Sequence, residues 1–273
     1  MSDTADGNTV EYETMSYSVA DHIAHIRLTR PDGANAVSVQ FAKDLRACTL
    51  AAHYDDNVRV LLFTAEGRVF CAGGDLVEFN EAGDALPSVA SDMLTDFHGA
   101  LYRMHRMTKP TVAAIGGAAG GAGLSFACAF DLVVAAENAK FTMAYTNAGV
   151  TPDGTSTYFL ARHVGLRRAL DLTLTNRILT AEEAEAWGLV NRVVPKGEAD
   201  QAALDLATSL ASASSFAIGN AKRLIYEGFD SSLEESGERE MHMITRSMGM
   251  ADGKEGIAAF VEKRAPQFNI PDA

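Results

Sequence analysis

Lys109-Pro-Thr-Val-Ala-Ala-Ile-Gly-Gly-Ala-Ala-Gly-Gly-Ala-Gly123 constrains the fold of this chain more than any other segment. Thr111 to Ile115 is apolar without alternation, which reads as a strand covered on both faces. Small residues follow, leading into a helix. Glycine there lets another group approach the backbone closely, and the free N–H groups of a helix's first turn point at whatever sits in front. A second stretch has the same form: Val58-Arg-Val-Leu-Leu-Phe-Thr64 runs to Glu66-Gly67 and is followed by Phe70-Cys-Ala-Gly-Gly-Asp-Leu76. Both glycine turns stand where strands hand over to helices, and both are candidate anion sites. Gly117-x-x-Gly120 does not match the dinucleotide fingerprint, although Glu137 lies at about the ~20-residue offset that it needs. No Gly-Lys-Ser/Thr follows, which excludes a phosphate loop. Close packing of helix on strand through Ala and Gly remains the plain alternative.

Before these stretches, Tyr17 to Ala20 and His22 to Thr29 alternate as a β-hairpin, and Ser38 is placed to cap a helix carrying Phe41, Leu45, Leu50 and Ala51. Ser91 to Met107 has an amphipathic helical pattern between the two apolar runs. Asp131 to Ala136 and Lys140 to Met143 read as short strands. Past Asp153 the texture turns helical: 158–163, 166–174, 181–187, 201–212, 215–227, 232–248 and 256–263 fit helices, with one strand over 189–194. The chain thus reads as an α/β core over 16–200, a helical region over 201–273, and a polar, acidic lead-in over 1–15 expected to be disordered.

Composition narrows the function. The 273 residues are 47% hydrophobic, enough for a substantial core. A net charge of −13 argues against nucleic acid as the main partner, since that needs a basic face. Cys48, Cys71 and Cys128 are widely spaced and form no CxxC pair, so neither a disulfide framework nor a metal site is expected, and a cytoplasmic setting fits. No signal-peptide pattern and no bilayer-spanning apolar run stands in the sequence.

Two residues look chemical on pattern. Ser125 in Gly123-Leu-Ser-Phe-Ala127 approaches a nucleophile elbow, but Ala127 replaces the second glycine and the serine falls inside the expected helix. A buried serine bonding back to its own backbone fits better. Asp153, in Pro152-Asp-Gly154, is either a solvated turn residue or a catalytic carboxylate.

Arg30-Pro31, Asn35-Ala36, Phe70 to Asp75, Lys109 to Gly123, Cys128-Ala-Phe-Asp131, Phe141, Pro152-Asp-Gly154, Thr180 to Val190 and Ala258 to Phe268 follow one another in an order and spacing that resemble the crotonase (enoyl-CoA hydratase/isomerase) superfamily almost from end to end. The resemblance implies a spiral of β-β-α units, assembly as homotrimers or pairs of trimers through the C-terminal helices, and no cofactor beyond the CoA of the substrate. It implies an acyl-CoA or aryl-CoA substrate whose thioester oxygen is held by the backbone N–H groups of Gly74 and Ala122. Ala34, Ala36, Ala72, Asp75 and Leu76 would contact CoA, and Phe260 and Lys263 would reach its adenine end. Lys263 would also bring local positive charge within the ~10 Å over which charge acts through salt.

Where hydratases of the superfamily carry two glutamates, this chain has Ser125 and Tyr145. That leaves Asp153 at the position of an isomerase's proton-shuttling aspartate. The region from Thr155 to Ala169, with Leu172 to Arg177 and Trp187 to Val193, is also similar to the 4-chlorobenzoyl-CoA dehalogenase family. By that likeness Asp153 would attack the ring, His98 would activate water and Tyr145 would hydrogen-bond the aspartate. Ala34 and Val77 replace arginines of that family. Three functions stay open: an acyl-CoA isomerase with Asp153 as acid/base, an aryl-CoA dehalogenase, and a non-catalytic CoA-thioester-binding protein.

Overall fold

The computed structural model describes residues 9–269. Strands β1 (Val10–Glu11), β2 (Met15–Ala20) and β3 (Ile23–Leu28) form an antiparallel meander, followed by helix α1 (Val39–Tyr54). Three units come next. β4 (Val60–Ala65) and β5 (Val69–Cys71) lead into α2 (Leu76–Ala82) and α3 (Leu86–Arg106). β6 (Thr111–Ile115) and β7 (Ala118–Gly120) lead into α4 (Ala122–Cys128). β8 (Leu132–Ala136) and β9 (Lys140–Thr142) lead into α5 (Ser156–Val164) and α6 (Leu166–Thr175). β10 (Leu179–Thr180), α7 (Ala181–Trp187) and β11 (Arg192–Val194) close the α/β part.

Each unit sends its first strand to one sheet and its second to another. The larger sheet has the order β1-β2-β3-β4-β6-β8-β11, the smaller β10-β9-β7-β5. Pairing is parallel between successive units in both sheets. This is the expected spiral of β-β-α units.

The unbroken apolar runs are explained by cover on both faces. On one face, Phe126 of α4 packs against the rings of Phe41, Phe63, Phe70, Phe97 and Phe130, with centroids 4.6–6.2 Å apart. Burying such a ring is worth about 1.5–3 kcal/mol, so α4 is firmly anchored. On the other face, α8 (Ala199–Ser212) lays Ala199, Ala203, Ala207 and Ala211 against Val60, Leu62, Val112 and Val134. Alanine at a four-residue spacing lets the helix approach the sheet closely. Helices α9 (Ser215–Gly228), α10 (Leu233–Gly249) and α11 (Ala251–Glu262) complete the helical region. No single described helix is long and apolar enough to cross a membrane.

α9 is tied to the core by a buried charge cluster. Asp131 Oδ2 accepts from the Thr111 N–H (2.7 Å), the Thr111 hydroxyl (3.0 Å) and Lys222 Nζ (2.8 Å), while Oδ1 accepts from Tyr226 Oη (2.9 Å). Lys222 also donates to the Met104 carbonyl at 2.7 Å. Burial lowers the Lys222 pKa, an effect that Asp131 opposes.

Several expectations are corrected. The lead-in is not wholly unstructured: Val10–Glu11 pairs with Ser16 and Tyr17, and Met15 already belongs to β2, while residues 1–8 lie outside the described residues. On α1, Ala51 is exposed and Leu50 only half-buried. Cys48, Thr49 and Ala52 take the inner face, together with Asp44, whose carboxylate is satisfied by the Thr14 N–H and hydroxyl. The 189–194 strand starts only at Arg192, because the Leu189 N–H is spent on the Ala184 carbonyl at the end of α7. The second glycine turn itself contains β7, held between β5 and β9.

Candidate active site

Asn35 builds the first wall. Its buried side-chain amide donates to the Glu66 and Val69 carbonyls at 3.0 and 2.9 Å and accepts from the Arg30 N–H at 3.0 Å. The loop so fixed is stitched to the first glycine turn: Ala72 N–H to Ala34 O (3.0 Å), Val37 N–H to Gly73 O (2.7 Å) and Asp75 N–H to Val37 O (2.9 Å). Gly74 is skipped. Among the described residues its N–H has no acceptor, and neither has that of Ala122, the first residue of α4.

The two turns meet backbone to backbone. Gly73 has φ +125°, and a Cβ there would lie 3.1 Å from the Gly120 oxygen and 3.6 Å from the Ala122 nitrogen. A Cβ on Gly123 would lie 2.1 Å from the Cys71 oxygen, an impossible contact. Glycine at these two positions is therefore a condition for bringing Gly74 and Ala122 to one place.

One turn along α4, Ser125 begins a hydrogen-bonded chain. Ser125 Oγ lies 2.8 Å from Tyr145 Oη, and Tyr145 Oη donates to Asp153 Oδ1 at 2.5 Å. A carboxylate only accepts, so the single phenol proton goes to Asp153 and the Ser125 hydroxyl donates to Tyr145. The 3.4 Å approach of Ser125 Oγ to the Gly121 carbonyl is the weaker alternative that the sequence pointed to. Burial and the adjacent Asp153 push the Tyr145 phenol upward, so it stays protonated. Asp153 Oδ2 makes no hydrogen bond among the described residues.

His98, on α3, stands beside the same turn. Its Nε2 accepts the Gly154 N–H at 3.0 Å, which places the ring's proton on Nδ1. The structure thus brings together Asp153, Tyr145 and His98, and adds Ser125. Asp153 and His98 open on a cavity of about 870 Å³ whose aromatic wall is Tyr102, His105, Tyr158, Phe159 and Tyr226. Sequence reasoning missed that wall, because its residues lie on α3, α5 and α9 and converge only in the fold.

The residues expected to contact CoA are placed unevenly. Ala34, Ala36, Ala72 and Asp75 lie together, and Leu76 is exposed at the start of α2. The Ala72 N–H is already spent. Asp75 is engaged as well: Oδ2 takes Arg30 at 2.8 Å and Oδ1 caps α2 by accepting the Glu78 N–H at 3.2 Å. Although desolvation opposes it, these bonds lower the Asp75 pKa. The 660 Å³ cavity beside them is lined by Glu13, Asp32, Glu78 and Glu81, a poor surface for phosphates. Phe260 and Lys263, at the end of α11, line neither cavity.

Stacked glycine turns with two unspent N–H groups, on a spiral of β-β-α units, define the class of CoA-thioester enzymes with the crotonase fold. The family model for enoyl-CoA hydratase/isomerase matches residues 18–271. The chain belongs to that family, whose enzymes act on CoA thioesters. It is 36% identical over 251 residues to 4-chlorobenzoyl coenzyme A dehalogenase-2 of Arthrobacter sp., covering 91% of each chain. It is 34% identical over 244 residues to 1,2-epoxyphenylacetyl-CoA isomerase of Escherichia coli K12, covering 89% of this chain and 93% of that one. Among solved structures, an enoyl-CoA hydratase from Polaromonas sp. JS666 superposes with a TM-score of 0.89 at 32% identity, covering 93% of this chain and 99% of the other.

Proposed function

We propose that the chain is an acyl-CoA isomerase that moves a double bond, with Asp153 as its single acid/base. The observation that carries this reading is the asymmetry of Asp153: Oδ1 is held by Tyr145 while Oδ2 carries no hydrogen bond and the residue faces the large cavity. The other carboxylates on that cavity, Glu227 and Asp230, are paired with Arg223 and Arg162. With Ser125 and Tyr145 at the glutamate positions, no second carboxylate stands ready to activate water. The thioester oxygen is held by the N–H groups of Gly74 and Ala122. Asp153 Oδ2 removes a proton from carbon, the C–H electron pair moves into the enolate, and the two N–H groups stabilise the oxyanion. The same proton returns at a different carbon of the conjugated system, so atoms and charge balance without a co-reactant. Tyr145 keeps the carboxylate oriented throughout.

A dehalogenase reading is supported by the position of His98 beside Asp153 and by the Arthrobacter relative. It needs a histidine with a free lone pair facing water, and here the Nε2 lone pair is taken by Gly154 while Nδ1 carries the proton. The isomerase reading needs no such rearrangement. Exposed apolar side chains on α10 and α11, among them Leu233, Met241, Ile244 and Phe260, support assembly as a homotrimer or a pair of trimers. In that assembly Phe260 and Lys263 would serve a neighbouring subunit's CoA.

Incubation with a panel of enoyl-CoA thioesters in deuterated water tests the chemistry. Deuterium is expected at the α or γ carbon with the wild type, and Asp153→Asn is expected to slow its entry about 10²–10⁴-fold. Unchanged exchange in that variant would sink the proposal.

A further inference from the structure

The aromatic cavity contains a histidine that the mechanism does not use. His105, on α3, stands with its ring edge-on to Tyr226 at 4.2 Å, to Phe159 at 5.3 Å and to Tyr158 at 6.2 Å. Its Nδ1 is enclosed and has no hydrogen-bond partner among the described residues. No hydrogen bond reaches Nε2 there either, so this is the nitrogen left for a molecule in the cavity. Burial, reinforced by the nearby Lys222 charge, lowers the His105 pKa and favours the neutral ring. A neutral imidazole has one N–H and one lone pair, and at Nε2 it offers one or the other according to tautomer.

The wall around His105 restricts what can meet it. Glu227 and Asp230 line the same cavity and oppose an anionic group, and Arg106 and Arg223 oppose a cationic one. A neutral group that both donates and accepts satisfies either tautomer of the imidazole, which a halogen or a carbonyl does not. The hydroxyl is the simplest such group. Rings at Tyr102, Tyr158, Phe159 and Tyr226 provide edges and faces against which an aromatic ring packs in offset or edge-to-face geometry. At about 870 Å³ the space is large enough to hold a whole ring system.

We propose that the acyl group carries an aromatic ring bearing a hydroxyl, and that His105, about two turns along α3 from His98, is the specificity-determining residue that reads this hydroxyl. The proposal rests on the isomerase reading for its reaction, but recognition by His105 is independent of turnover. It is therefore tested by equilibrium binding. Titration calorimetry on the full-length protein compares 3-phenylpropanoyl-CoA, 3-(4-hydroxyphenyl)propanoyl-CoA and hexanoyl-CoA, saturated thioesters with no double bond to move.

The wild type is expected to bind the hydroxylated ring about 3–10-fold more tightly than the plain ring, the worth of one net hydrogen bond. Both rings are expected to bind more tightly than the straight chain. His105→Phe keeps an aromatic ring in the wall, and should bring the ratio between the two aryl thioesters to about one. His105→Gln restores a group that donates and accepts, and should recover part of the ratio. A wild-type ratio near one, tighter binding of hexanoyl-CoA, or a ratio that survives His105→Phe would overturn the proposal. Failure of the isomerase reading is seen separately, as absent deuterium exchange with unsaturated thioesters while the binding ratio persists.

Discussion

Asp131 receives the N–H and hydroxyl of Thr111, the Lys222 ammonium and the Tyr226 phenol, whereas Asp153, also a residue outside helix and strand, receives only the Tyr145 phenol. Both oxygens of the first carboxylate are hydrogen-bonded, and a cation stands against it. The second is held by one oxygen and left open at the other, on the wall of the aromatic cavity. Completeness of hydrogen bonding thus separates a carboxylate that joins helix to sheet from one equipped to exchange protons. Burial alone does not make that distinction.

Substitution of each aspartate by asparagine sharpens the contrast. Asp153→Asn is expected to leave the melting curve nearly unchanged while catalysis falls by orders of magnitude. Asp131→Asn strands the Lys222 charge and is expected to lower the unfolding free energy by about 3–5 kcal/mol in denaturant titration, with activity retained per folded molecule. Adding Lys222→Met to Asp131→Asn should restore much of that loss. A double variant no more stable than the single would show that the ion pair is not what fastens α9.

Smaller effects lie along the Ser125–Tyr145–Asp153 chain. Tyr145→Phe removes a charge-assisted hydrogen bond worth about 1.5–3 kcal/mol, and a loss of about 10–100-fold in kcat/KM is expected. Ser125→Ala, one step further back, should cost only a few-fold, the worth of a neutral bond of about 0.5–1.5 kcal/mol. A larger loss for serine than for tyrosine would reverse the order of the relay.

The smallest expected effect is on pH dependence, through His105, which lines the Asp153 cavity and packs edge-on against Tyr226, a donor to Asp131. Its pKa in the folded protein is below the ordinary 6.5, because burial and Lys222, with Arg106, outweigh Asp131 and Asp230. As pH falls through that range the unfolded chain takes up a proton first, so stability declines on acidification. The loss should be shallower in His105→Phe. Equal slopes for the two proteins between pH 7 and pH 5 would remove His105 from this role.

Much of the architecture was legible in the sequence, for physical reasons that differ by element. The runs 60–65 and 111–115 are apolar on both faces, and three of the helices after Asp153 carry side-chain caps, Thr180 on α7 and Ser232 on α10 with complete capping boxes and Ser214 on α9. β7 was not legible. Ala118-Ala-Gly120 has no strand propensity, and becomes a strand only because the flanking strands β5 and β9 hold it. At the candidate site, Asp153, Tyr145 and His98 were readable from motif positions. Ser125 was read as a residue bonding to its own helix, since nothing local reveals a phenol arriving from twenty positions onward. His105 carried no local signal at all, because its neighbours Phe159 and Tyr226 come from helices far along the chain.

The alternation of strands between two sheets has a consequence for how such a chain is made. Gly74 follows the second strand of one β-β-α unit, and Ala122 follows the second strand of the next. Neither unit alone holds both unspent N–H groups. During synthesis, an emerging chain that has completed only the unit ending in α3 possesses half of the feature. The pair comes into being when β7 docks beside β5 and Gly123 closes on Cys71. An evolutionary change in the length of either turn would then be felt as misalignment between neighbouring units. Such a chain would tolerate insertions after its helices far more readily than between its paired strands and the turns that follow them.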